Sequence, residues 1–171
     1  PVYVYSRELI DRRIRRLRAA LPAEIHLHFA MKANPMPAVV QHISSQVDGL
    51  DVASAGELRV ALAAGADPAR VSFAGPGKTI EDLTTAVAAA VTVNVESETE
   101  LNRLVTIGSA RGVRPRVAIR VNPDFELKSS GMKMAGGPKQ FGIDAELLPD
   151  LLRRMAALDL DFQGFHVFSG S

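Results

Sequence analysis

A lysine that closes a short apolar strand is the residue in this sequence best placed to do chemistry. Lys32 follows Phe29, Ala30 and Met31. An ammonium among such neighbours is partly desolvated, which lowers its pKa and favours the neutral amine as a nucleophile. Such an amine forms a Schiff base with an aldehyde or ketone. The plainer alternative is a strand-end lysine reaching into solvent. Gly75-Pro76-Gly77-Lys78-Thr79 lies between a strand and a helix like a phosphate loop, but the G-x-x-x-x-G-K-T pattern needs glycine at position 72, where Ser72 stands. It reads as a turn before a capped helix. His26, His28 and His42 have no carboxylate suitably placed to complete a metal site, so packed, hydrogen-bonded roles are expected and no metal. Arg12, Arg13, Arg15, Arg16 and Arg18 make a basic helix face. With 20 Lys+Arg against 19 Asp+Glu, that face reads as solvated, not as a nucleic-acid or membrane surface. The absence of cysteine removes disulfides, thiolate metal sites and cysteine nucleophiles, and suits a reducing cytoplasm.

The elements that must position these residues alternate along the chain. Ser6 is a candidate cap for a helix with apolar positions Ile10, Ile14, Leu17 and Leu21, spaced four, three and four apart. Strands are expected at Ile25–Met31, Leu50–Ala53, Val71–Ala74, Val91–Val95, Val117–Val121 and Phe162–Phe168. The residues just past the first five are Lys32, Ser54, Gly75, Glu96 and Asn122, separated by 22, 21, 21 and 26 positions. That period is one strand plus one helix, and it reads as parallel α/β. Ser54…Glu57 and Ser97…Glu100 match the capping box, and Thr79…Asp82 is a weaker relative of it. Asn34-Pro35 offers a further helix start, with the cap at Asn34.

The strand faces choose between a barrel and an open sheet. Ile25, Leu27, Phe29 and Met31 oppose His26, His28, Ala30 and Lys32. Val91, Val93 and Val95 oppose Thr92, Asn94 and Glu96; Val117, Ile119 and Val121 oppose Arg116, Ala118, Arg120 and Asn122. A doubly wound sheet would be apolar on both faces. One apolar and one polar face fits a (β/α)8 TIM-type barrel with helices outside. Such a barrel has eight units in about 250 residues, so six strands in 171 residues imply a barrel truncated after its sixth strand. A long irregular loop, 123–142, joins the fifth strand to a helix around Leu147–Leu158.

Several segments then resemble one enzyme family in its own motif order. Phe29-Ala30-Met31-Lys32-Ala33-Asn34-Pro35 resembles the Y-A-x-K-A-N segment of the fold type III pyridoxal-phosphate decarboxylases, the ornithine/diaminopimelate/arginine group. Pro1-Val2-Tyr3-Val4-Tyr5 is similar to their opening T-P-x-Y-V-Y, and Gly49-Leu50-Asp51-Val52-Ala53-Ser54-Ala55-Gly56-Glu57-Leu58 to their G-x-D-V-A-S-x-G-E. Within the group, Lys128–Ile143 looks most like the branch associated with exosortase systems and carrier-protein-bound glutamate decarboxylation.

The resemblance implies that Lys32 is the catalytic residue and bears pyridoxal 5'-phosphate as a Schiff base, with Ala30 beside it. It places Asp51 near that lysine and Arg120 at the end of the fifth strand; the alternative for Arg120 is a structural salt bridge. It also places Glu57 at the cofactor, although Glu57 serves equally as a capping carboxylate. The family carries H-x-G-S after its sixth strand, with a histidine stacked on the cofactor ring. In Gly164-Phe165-His166-Val167-Phe168-Ser169-Gly170-Ser171, either Phe168 takes that place with Ser171 as the serine, or His166 does with Ser169. Both rings share a strand face, and the first alignment is favoured.

The implied function is decarboxylation of an amino or diamino acid, diaminopimelate-like or carrier-bound, by a cytoplasmic homodimer. In the family, a neighbouring subunit's C-terminal β-domain helps complete the site. A racemase or other barrel-type pyridoxal-phosphate protein, a non-catalytic binding homologue and a cofactor-free Schiff-base aldolase are the competing readings.

Overall fold

A computed structural model describes residues 1–123 and 141–168. The chain divides into two compact units, Pro1–Ser72 and Phe73–Ser171.

The first unit opens with α1 (Arg7–Ala20), where the Ser6 hydroxyl oxygen accepts the Leu9 N–H at 3.4 Å. The apolar stripe of α1 brings Ile14 against Val39 and Ile43 of α2 (Pro37–Ser44), with Ile10, Leu27, Phe29 and Val47 packed around them. The arginines face outward, apart from Arg18, which pairs with Asp48. β1 (His28–Ala30) runs parallel to β2 (Gly49–Val52), with His28 opposite Gly49, Phe29 opposite Leu50 and Ala30 opposite Asp51.

β1 is shorter than the expected Ile25–Met31. Its partner strand starts only at Gly49, while the Leu27 N–H is taken by the Asp48 carboxylate at 2.6 Å. Beyond Ala30 the chain tightens into a 3-10 turn, Met31–Ala33. α2 therefore starts later than expected, with Met36 as the cap residue and Pro37 in its first turn. Asn34 still caps, but it caps a turn: its side-chain oxygen accepts the Met36 N–H at 3.1 Å. α3 (Ala55–Ala63) is capped by Ser54, and a 3-10 turn, Pro68–Arg70, leads into β3 (Val71–Phe73).

In the second unit α4 (Ile80–Ala88) follows the Gly75–Thr79 turn, and then come β4 (Thr92–Val95), α5 (Glu98–Arg111) and β5 (Arg116–Asn122). α5 ends at Gly112, whose left-handed backbone (φ 65°) is the conformation in which glycine carries no side-chain penalty. A strand not foreseen in the sequence, β6 (Ile143–Asp144), precedes α6 (Leu148–Met155) and β7 (Asp161–Val167). Two residues carry too little periodicity to be read as a strand.

β5 pairs in parallel with β4, β6 and β7. Val93, Val95, Val117 and Ile119 are buried, and so are the polar side chains Asn94, Glu96, Arg120 and Asn122 on the other face. Most of the expected loop, residues 124–140, lies outside the described residues. Among the described residues no helix is long and apolar enough to cross a membrane.

Candidate functional site

Lys32 sits in the 3-10 turn directly after β1, two residues beyond the row in which Ala30 faces Asp51. The desolvation expected from its neighbours is not found, because Met31 is buried and Phe29 packs against the α1/α2 cluster while Lys32 itself is exposed. Lys32 does not share the apolar face that Phe29 and Met31 occupy. The amine is accessible and its backbone is held at the strand end.

Asp51 is anchored from two sides. His28 Nδ1 lies 3.1 Å from Asp51 Oδ1, and the Ser72 hydroxyl donates to the same oxygen at 2.7 Å. Ser72 is the residue that breaks the phosphate-loop pattern, and this bond gives its hydroxyl a role. Gly49 makes room for the histidine: a Cβ there would lie 2.3 Å from the Arg70 carbonyl oxygen and 2.5 Å from His28 Cε1. His28 and Ser72 were not singled out for this role. The signal was the βα period, since Ser72 stands 21 positions after Asp51.

Glu57 caps α3. Ser54 Oγ accepts the Glu57 N–H at 3.1 Å, and the Glu57 carboxylate accepts the Ala53 N–H at 2.7 Å. Glu100 behaves likewise at α5, taking the Glu96 N–H at 2.8 Å while Ser97 Oγ accepts the Glu100 N–H at 3.2 Å. In both, the carboxylate reaches the amide before the cap. The reciprocal box forms at Thr79 and Asp82, the pair expected to be weaker. The shorter aspartate reaches the cap amide, and the longer glutamate reaches one residue further.

In the second unit Arg120 is buried and paired with Glu96, its Nη1 lying 3.1 and 3.3 Å from the two carboxylate oxygens. Its guanidinium carbon lies 4.9 Å from the centre of the Phe141 ring. Gly142 follows with φ 81°, so close to β5 that a Cβ would meet the Arg120 carbonyl oxygen at 3.0 Å. Glu96 Oε1 also accepts the Gly75 N–H at 2.5 Å. Lys78, in the same turn, donates to the Gly75 carbonyl at 2.5 Å and pairs with Glu100 at 2.8 Å.

Burial pushes the Glu100 carboxyl above its ordinary value, against the opposing pull of Lys78. The sequence places Lys78 in a turn before a capped helix and Glu96 on the polar face of its strand, but assigns neither of them a partner. Gly75 and Glu96 are again one βα period apart, 21 residues.

At the end of β7, His166 stands opposite Arg120. His166 and Phe168 are partly buried, whereas Phe165 and Val167 on the other face are exposed, in keeping with the expected common face. Ser171 and Ser169 lie outside the described residues. The structure thus brings Ala30 and Asp51 into one row below Lys32 in the first unit, and Arg120 and His166 into one row in the second.

In the first unit the donor types, an accessible primary amine and an anchored carboxylate in the neighbouring row, fit a carbonyl-bearing cofactor. Residues 7–171 match the family described as pyridoxal-dependent decarboxylase, pyridoxal binding domain. The chain is 34% identical, over 173 residues and all of its length, to the L-glutamyl-[BtrI acyl-carrier protein] decarboxylase of Niallia circulans, covering 40% of that protein. It is 40% identical over 166 residues to the diaminopimelate decarboxylase of Pseudomonas aeruginosa, covering 93% of this chain and 39% of that one.

Among solved structures, the diaminopimelate decarboxylase of Helicobacter pylori complexed with L-lysine matches the whole chain and 44% of its own, with a TM-score of 0.89 and 26% identity. The chain spans about two fifths of the length of the curated relatives it matches. Its α/β fold is that of the decarboxylase barrels, for the part that 171 residues cover. The chain belongs to the pyridoxal binding domain family of the pyridoxal-dependent decarboxylases, whose cofactor is pyridoxal phosphate.

Proposed function

We propose that this chain is the cofactor-bearing barrel domain of an amino-acid decarboxylase, and that Lys32 is the residue to which pyridoxal phosphate is attached. The placement of Lys32 carries the reading: an accessible amine on a 3-10 turn, just past the row that holds Asp51. When bound, pyridoxal phosphate supplies the electron sink that makes loss of carbon dioxide feasible. Lys32 Nζ would be the group that holds the cofactor through its carbonyl carbon, and its exposed position leaves room for a substrate amino group to approach the same carbon. Asp51 offers a carboxylate whose direction is set by His28 and Ser72, and that charge holds a proton on the neighbouring nitrogen. Arg120 would present its fixed positive charge to an anionic part of the cofactor, and Phe168 would cover the ring. The substrate class is an α-amino acid, either a diamino acid or one carried on a protein, as the names of the relatives suggest. The working form is a homodimer.

The test is borohydride reduction of the full-length protein loaded with pyridoxal phosphate, followed by peptide mapping. A pyridoxyl group at Lys32 and loss of turnover in Lys32→Ala are expected. Labelling at Lys78 or Lys133 instead would overturn the assignment.

A further inference from the structure

We propose that Glu96 is the positioning residue of Arg120, and that the Gly75–Thr79 turn, locked by the Lys78–Glu100 pair, holds Glu96 for that task. The inference rests on the reading above, in which Arg120 faces the cofactor. Two cations and two anions are buried together here, with side-chain exposures of 1% for Lys78, 6% for Glu100, 9% for Arg120 and 2% for Glu96. Taking four charges out of water is costly, and a well-packed apolar set would serve stability at least as well. What the network does provide is direction.

Glu96 receives Arg120 Nη1 on both oxygens and the Gly75 N–H on one of them, so its carboxylate plane is set from two sides. Its own N–H is taken by Glu100, which fixes the main chain that carries it. Lys78 closes the set by holding Gly75 at its carbonyl and Glu100 at its carboxylate. The turn that looks like a phosphate loop is thereby used internally, its lysine amine already engaged. Gly75 has φ 114°, a backbone that a side chain would strain. Phe141 covers one face of the guanidinium, so Arg120 is held both at its edge and on its face.

The experiment measures the dissociation constant of pyridoxal phosphate from the full-length protein by equilibrium dialysis, with thermal midpoints of the apo forms as a control. Glu96→Gln should raise that constant about tenfold, the loss of one charge-assisted contact. In an Arg120→Leu background the same change should alter it by no more than about twofold, because no guanidinium remains to be positioned. Lys78→Met should show the same dependence on background with a smaller rise. A purely structural role would lower the thermal midpoint and weaken binding equally in both backgrounds, and that result would overturn the proposal. So would an unchanged dissociation constant in Glu96→Gln or in Arg120→Leu. If Glu96→Gln does not fold, Glu96→Asp, which keeps the charge but is too short to span both partners, is judged by the same rule. Borohydride labelling of Lys32 in these samples reads the cofactor assignment separately. Retained labelling with effects independent of background sinks the positioning role alone.

Discussion

Two rings at the end of β7 compete for the place that the family resemblance gives to one stacking histidine. His166 pairs in register with Arg120, and Phe168 lies one residue past the last paired position, Val167 opposite Val121. If Phe168 covers the cofactor, Phe168→Ala should weaken binding of pyridoxal phosphate by about 1–3 kcal/mol, the value of a buried, stacked aromatic. Phe168→His should restore much of the loss, and His166→Ala should leave affinity nearly unchanged. Fluorescence titration of the cofactor in the full-length protein checks this; exchanged behaviour of the two alanine variants would assign the stacking to His166. The common face of His166 and Phe168 was legible from period two, because alternation is a property of a single strand. The exposure of Lys32 was not legible, since apolar neighbours in sequence do not show whether they pack around the lysine or turn to the core without it.

Among the elements, α1 and α2 are joined by a polar clasp beside their apolar contact. Asp11 Oδ1 lies 2.7 Å from His42 Nε2 and accepts the Gln46 amide at 2.8 Å. The Gln46 bond is the main cause holding the Asp11 carboxyl below its ordinary value of 3.8; desolvation opposes it, and His42 and Arg15 add to the lowering. A carboxyl with a folded pKa below its unfolded one adds stability above the unfolded value and loses it as the pH falls through the folded one. Asp11→Asn should therefore lower the thermal midpoint at neutral pH, and the gap to wild type should close as the pH falls through 3.8 and below. A gap that stays constant with pH would mean that the clasp acts by packing alone. The apolar stripe of α1 was visible in the sequence. The clasp was not, because Asp11 and Gln46 are 35 residues apart and only the docked helices bring them together.

On the scale of the whole chain, β7 shows a feature that simple alternation hides. The pairing with β5 shifts by one residue between Val117 and Ala118, leaving Gln163 as a bulge. Phe162 and Phe165, three residues apart, consequently fall close enough to pack edge to face, with ring centres 5.5 Å apart. Both rings and Val167 are exposed, and among the described residues β7 pairs only with β5. An apolar strip on a strand of this kind favours association between chains. The 171-residue chain alone should thus self-associate with rising concentration, and Phe165→Thr should reduce this. Light scattering across a dilution series measures it; a variant that scatters like the wild type would show that association arises elsewhere.

What the sequence determined by itself is local: the βα period, the apolar stripe of α1, the hydroxyl caps at Ser6, Ser54, Thr79 and Ser97, and the motif around Lys32, though not the start of α2 or the two-residue β6. Each depends on neighbours within a turn or a strand, and an ordered list of short segments holds that information in full. The tertiary structure alone decided which charges meet. Glu96 could have capped, faced solvent or paired with any cation; parallel pairing of β4 and β5 brings it to Arg120, 24 residues away. The same holds for His28 and Ser72 on Asp51, 23 and 21 residues distant. Buried charges and hydrogen-bonding groups must find partners, but which partner each one finds is set by strand register, and register exists only once the strands lie side by side.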